Sequence, residues 1–185
     1  MNLRTRLIRG RSKPGHRRAR GQSLAEFALV APIFFLLVFA VLQVGLVMAA
    51  QNGLVDGVRS AARRAATYRI NEQSFDPTVW SSICSTIDSE LSTRLESRVI
   101  GFTGSRLTKS IAYEWQQNPG GAEYFLVAHI TAAYHNPLYV PLVSAFLDRS
   151  DGTVDDQLTL TASEQMRVEN PALETPASLS AQSCP

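Results

Sequence analysis

The 185-residue chain carries 18 Lys and Arg against 16 Asp and Glu, with 45% apolar residues and two cysteines. Two cysteines permit one disulfide and exclude a four-cysteine zinc site, and three scattered histidines (His16, His129, His135) give no metal-ligand spacing. Eight of the cations fall in the first 20 residues with no acid among them, leaving ten cations against 16 acids beyond, so the overall charge is no sign of a basic, nucleic-acid-binding domain.

Residues 1–21 form a basic leader, a composition that self-repels and favours disorder. Nothing aromatic interleaves with its arginines, as a nucleic-acid arm would require. Arg17-Arg18 alone suggests a twin-arginine export signal, but the apolar run that follows is too long for one. A retention signal fits better: cations abutting a membrane span hold that side in the cytoplasm, which sends the C-terminal part out.

From Phe27 to Ala50 there are 24 residues without a charge. At about 1.5 Å per residue this is a helix of roughly 36 Å, enough to cross about 30 Å of hydrocarbon. Pro32 removes one backbone hydrogen bond inside it and predicts a bend near Ala28–Pro32. Gln43 is the one strongly polar side chain in the run, either a contact to another helix or a harmless residue near the outer half.

Between leader and span lies Gly21-Gln22-Ser23-Leu24-Ala25-Glu26-Phe27. Gly21 suits an extended backbone in a narrow protease cleft, and Glu26 stands at the edge of the span, where an acid is tolerated. This run looks like the type IV prepilin processing site, which a membrane aspartic protease cuts after the glycine. The longer stretch from Arg20 to Tyr68 resembles the TadE-like family of minor pseudopilins from tight-adherence (Flp) pilus systems. The likeness includes Glu26-Phe27, Pro32, Gly45 and the Ala/Arg-rich continuation, and departs at Gln43, where the family often carries an acid. The resemblance implies cleavage between Gly21 and Gln22, and an assembly role for Glu26 and Phe27, the acid meeting the new amine of a neighbouring subunit. It implies as partners a prepilin peptidase, other pilins or pseudopilins, pilus platform proteins and membrane lipid. Nucleic acid, cofactor, metal and enzymatic activity are not expected. Two other readings stand beside this one. A signal peptidase cutting after Val47-Met48-Ala49 would release a secreted binding module, although the apolar run exceeds a usual signal core. A bitopic membrane protein of another activity is the second.

The helical pattern continues beyond the span as a stalk: Leu54, Val58, Ala61, Ala65 and Tyr68 share one face. Gly45, Ala49, Gly53, Gly57, Ala61 and Ala65 form a second row of small residues four apart, which lets another backbone approach closely. The plain alternative is helix-forming alanine.

Residues 71–170 read as an extracytoplasmic α+β domain. Asp76-Pro77 starts a helix with Trp80, Ile83, Cys84, Ile87, Leu91 and Leu95 on one face to about Arg98. The period then changes to two. Leu107, Ile111, Tyr113 and Trp115, a turn at Asn118–Gly121, and Tyr124, Leu126, Ala128, Ile130 and Tyr134 make a hairpin. Val140–Leu147 suggests a short helix, Arg149–Asp156 an acidic loop, and Leu158 to Val168 a third strand. Residues 171–185 are a Pro/Ser-rich tail. The expected fold is therefore α+β and pilin-like: a long N-terminal membrane-spanning helix continuing into a stalk, together residues 22–70, a second helix, and a small antiparallel sheet. Cys84 and Cys184 either bridge, tying tail to helix, or Cys84 is simply buried on its helix face. No catalytic constellation emerges. Glu114 and Glu123 flank the hairpin turn as surface acids, and Asp148, Asp151, Asp155 and Asp156 lack EF-hand spacing, leaving at most a loose calcium site. The hairpin aromatics read as packing.

Overall fold

The computed structural model describes residues 16–71, 74, 76–117, 119, 124–140, 144, 147, 152, 155–169 and 182–184, with side chains from Gly21 onward. Most of the leader, the hairpin turn with Glu123, Asp148, Asp151, and residues 170–181 lie outside the described residues. So does most of the expected helix at Val140–Leu147, where Val140 C=O accepts the Ser144 N–H at 2.8 Å.

The fold is α+β, built from helix α1 (His16–Thr67), helix α2 (Pro77–Arg98) and strands β1 (Leu107–Gln117), β2 (Tyr124–Pro137), β3 (Gln157–Arg167) and β4 (Gln182–Ser183). The strands form one antiparallel sheet in the order β3-β2-β1-β4. α1 begins five residues before Gly21 and runs on through Pro32. The end of the basic leader is thus helical rather than disordered, in keeping with the good propensity of Arg and Ala.

The chain divides into a first unit of residues 1–39 and a second of residues 40–185. In the first, described from His16, α1 exposes nearly every large apolar side chain, among them Phe27, Leu29, Ile33, Phe34 and Leu37. In the second, α1 is a core element. Leu54, Val58, Ala61 and Ala65 are fully covered and cluster with Ile87, Leu91 and Leu95 of α2 and with Ile111, Tyr113, Ala128, Ile130 and Tyr134 of the sheet. The compact unit takes in α1 from Ala40 onward, because the apolar face of the expected stalk needs a partner and finds it in its own chain.

α2 starts as its sequence dictates. Asp76 Oδ1 accepts the Thr78 N–H at 2.9 Å and Pro77 occupies the first turn, where no N–H is required. In the hairpin, Ile111 stands opposite Ile130, Tyr113 opposite Ala128 and Trp115 opposite Leu126. β3 extends the sheet with Leu160 opposite Tyr134 and Ala162 opposite Ala132. Tyr113 joins the layers: its buried hydroxyl donates to Ala65 C=O at 3.0 Å, and its ring meets that of Trp80 edge-on at 5.5 Å. Burial pushes its phenol well above the ordinary range, so it stays a neutral donor.

The close approach of α2 to α1 depends on Gly53. A Cβ there would lie 2.9 Å from Arg98 Cβ, an atom fixed to the backbone that cannot rotate away, and 3.1 Å from Val99 Cγ2. A Cβ at Gly45 meets nothing within 4 Å. Gly53→Val is accordingly expected to cost about 1–3 kcal/mol by overpacking, whereas Gly45→Val leaves stability almost unchanged. Thermal unfolding of both variants in detergent checks this, and equal melting temperatures would refute it.

Candidate functional site: the N-terminal helix and its docking

Helix α1 presents the expected cleavage and assembly residues in the first unit. Gly21 lies within the helix with open space around it. One turn of helix brings Gln22 and Glu26 together, and Gln22 Nε2–H donates to Glu26 Oε1 at 3.0 Å on an exposed face. Phe27 is exposed, and beyond it Phe34 and Phe35 pack edge-on while Phe35 and Phe39 stack. The segment combines a lone carboxylate, ahead of the uncharged run, with an apolar surface lacking any cover in its unit.

The row of small residues divides in the second unit. Gly53 and Gly57 face α2, and a Cβ at Gly57 would touch Leu91 and Leu95 side chains at 3.3–3.5 Å. Ala61 and Ala65 are in the core, while Gly45 and Ala49 are exposed. The close approach anticipated from the spacing is thus made within the chain from Gly53 onward, and the outward part of the row is Gly45 and Ala49.

Gln43 has the role the sequence leaves open. It is 1% exposed, and its Oε1 accepts the backbone N–H of Tyr139 at 2.9 Å. Its Nε2 has no partner among the described residues. The signal was present in the sequence, since a lone amide in an apolar run needs a hydrogen-bonding partner; the partner's identity was not. A further feature escaped sequence reading. Arg59 and Arg63 of α1 and Arg94 and Arg98 of α2 line an open cleft of about 330 Å³ with Asp56 and Ser60. Glu90, which pairs with Arg94 at 2.9 Å, accepts the Ser60 hydroxyl at 2.6 Å, and these two contacts hold its carboxyl below the usual range. The arginines come from helices distant in sequence, so no local motif announces the cluster.

At the other end of the domain Cys84 and Cys184 form a disulfide with Cα atoms 5.7 Å apart. It holds β4, where Ser183 pairs with Ala112 and its C=O accepts Trp80 Nε1–H at 3.2 Å. The expected tail thus supplies the fourth strand.

The residues weighed for chemistry are not assembled. His129 and His135 share β2 but stand six residues apart, roughly 20 Å. His129 Nε2 lies 3.5 Å from Thr131 Oγ1 and His135 Nδ1 lies 3.1 Å from Thr159 Oγ1. Glu114 stands opposite Val127 on β1. Asp155 accepts hydrogen bonds from Gln157 and, like Asp156, is exposed. Among the described residues no three His, Cys, Asp or Glu side chains are placed to hold a metal ion.

One helix long and apolar enough to cross a membrane, in a chain that also holds a disulfide-linked α+β unit, defines the class as that of a single-pass membrane protein. Residues 21–63 are a TadE-like segment: the family model described as TadE-like protein matches them, the same family that the sequence resembles. The match and the apolar helix fit a pilus-associated membrane protein. No curated protein and no solved structure matches the chain.

The disulfide closes a loop with a sequence separation of 100, for which chain entropy corresponds to about 4–5 kcal/mol. Reducing it, or Cys184→Ser, is expected to lower the unfolding temperature and release the last strand. Calorimetry with and without reductant tests this, and an unchanged transition would contradict it.

Proposed function

We propose that this chain is a minor pseudopilin of a tight-adherence (Flp-type) pilus assembly system. It resides in the cytoplasmic membrane with its basic leader inside and its disulfide-linked domain outside. A prepilin peptidase cuts it after Gly21. The observation that carries this reading is the run from Gly21 to Phe27, with its lone acid, at the head of a TadE-like segment that continues directly into an exposed apolar helix. Other pilins or pseudopilins and pilus platform proteins are its partners in the membrane. Gly45 and Ala49, which α2 leaves uncovered, permit a neighbouring helix to approach. The protein acts by assembling and not by catalysis.

Release by signal peptidase near Ala49 is the rival. Against it, Gln43 holds the Tyr139 backbone and Val47 packs on the core of the outer domain. A cut after Ala49 would strip both from the product and end its helix inside the packed unit.

In cells with a prepilin peptidase, N-terminal sequencing is expected to find a mature chain starting at Gln22. Gly21→Val should block the cut while insertion proceeds. A mature chain starting at Ala50 would replace this reading with secretion.

Assembly is separable from cleavage through Glu26. Once Gln22 carries the free amine, protonated at neutral pH with a pKa near 8, Glu26 is the carboxylate available to it across a subunit contact. Losing one member of a pair shielded from water costs about 3–5 kcal/mol, against about 0–1 for a solvated pair. Glu26→Gln is therefore expected to be cut and inserted normally, yet to lose recovery with its pilus partners. Normal co-purification and piliation of this variant would show that the carboxylate does no more than start a helix.

A further inference from the structure

Among the described residues, only four large apolar side chains outside α1 are exposed: Val79, Ile100, Tyr124 and Tyr139. They fall at two opposite ends of the domain. Val79 begins α2, and Ile100 follows its far end, roughly 30 Å away at helical rise. Tyr124 begins β2, and Tyr139 lies just past that strand's other end. Ile100 and Tyr139 are at the same end. The turn after α2 has Gly101 at φ +72°, and a Cβ there would lie 2.8 Å from the Tyr139 hydroxyl, so the two loops touch where only glycine fits. The backbone of Tyr139 is in turn bonded to Gln43. The most exposed large apolar pair outside α1 thus lies beside the outer end of the membrane-spanning run.

The length of that run decides what covers the pair. Between Glu26 and Gln43 there are 16 residues, roughly 24 Å of helix, and a bilayer core needs about 30 Å. Tilting the helix shortens its reach along the membrane normal and makes the shortfall larger. The hydrocarbon must therefore continue about one turn past Gln43, and there one face of α1 is already occupied by Tyr139 while Val44 and Met48 stay exposed. We propose that Ile100 and Tyr139 form a lipid-contacting foot, which seats this end of the domain in the outer interface of the bilayer that α1 crosses.

The local hydrogen bonding suits a water-poor setting. Tyr139 N–H is taken by Gln43, Leu138 N–H by Asp156 C=O at 2.9 Å and Phe102 N–H by Val99 C=O at 3.2 Å, so these three backbone donors do not depend on water. A tyrosine with an apolar ring and a polar tip is suited to headgroup depth. Asp155 and Asp156, exposed beside the start of β3, limit the immersion to the interface, since carboxylates are costly any deeper.

The inference rests on α1 spanning the bilayer, and the test separates the two. Full-length protein with its disulfide closed is placed in phosphatidylcholine–phosphatidylglycerol vesicles. Single spin labels are attached at Ile100→Cys, Tyr139→Cys, Val79→Cys, Tyr124→Cys and Phe34→Cys. Labels at 100 and 139 are expected to collide with oxygen in preference to a water-soluble nickel chelate, with nickel accessibility several-fold below that at 79 and 124. On the unsubstituted chain, hydroxyl-radical labelling in the same vesicles should modify Tyr139 several-fold less than Tyr124, a readout that needs no variant to fold. A shielded label at 34 with water-exposed labels at 100 and 139 would overturn the foot and leave the span intact. A water-exposed label at 34 would overturn both.

Discussion

One continuous helix has to satisfy two solvents. From Phe27 through Phe39 nearly every large side chain of α1 is apolar and exposed, whereas from Ala40 the same helix contributes the fully covered Leu54, Val58 and Ala61 to a protein core. Lipid rewards apolar surface on every side, while a soluble core rewards it on one face only. At Gln43 a polar side chain within the uncharged run binds a backbone amide of the second unit. Were that residue apolar, the Tyr139 N–H would lose its acceptor, a deficit of about 1–3 kcal/mol for a buried group.

The second unit is fastened at both ends of α2. At its C-terminal end Gly53 lets the last turn of α2 approach the backbone of α1. At its N-terminal end the disulfide, the Trp80–Ser183 hydrogen bond and the short pairing of β4 with β1 hold residues 182–184 to α2. Tyr113 lies between them, bonded to Ala65 and packed on Trp80. The second unit is thus a small core closed by one covalent link, which adds to the limited burial a domain of this size can achieve.

The arrangement also explains which features of the TadE-like segment are available to partners. Its small-residue row is half used internally, by α2, and half turned outward at Gly45 and Ala49. Its arginines are drawn into a cleft with Arg94 and Arg98, where Asp56, Glu90 and Glu164 offset part of their charge. These ion pairs are half exposed and each contributes little to stability, so the cleft is chiefly a positively charged feature of the surface.

Neighbouring residues suffice for the elements that local physics controls. An uncharged run of 24 residues is a helix of bilayer length whatever follows it. Asp76-Pro77 starts α2 through its own cap, and alternating apolar residues set β1, β2 and β3. The segment at Gly21–Phe27 could be read because its information lies in adjacent residues. Only the tertiary structure decided what depends on residues far apart in the chain. Gln43 needed Tyr139, 96 positions away. The small-residue row could be divided only once α2 was seen lying on Gly53 and Gly57. The two-residue β4 has no period of its own, and its place comes from the disulfide and from β1. A spacing states that a face exists, but which molecule covers it is a property of the packed chain.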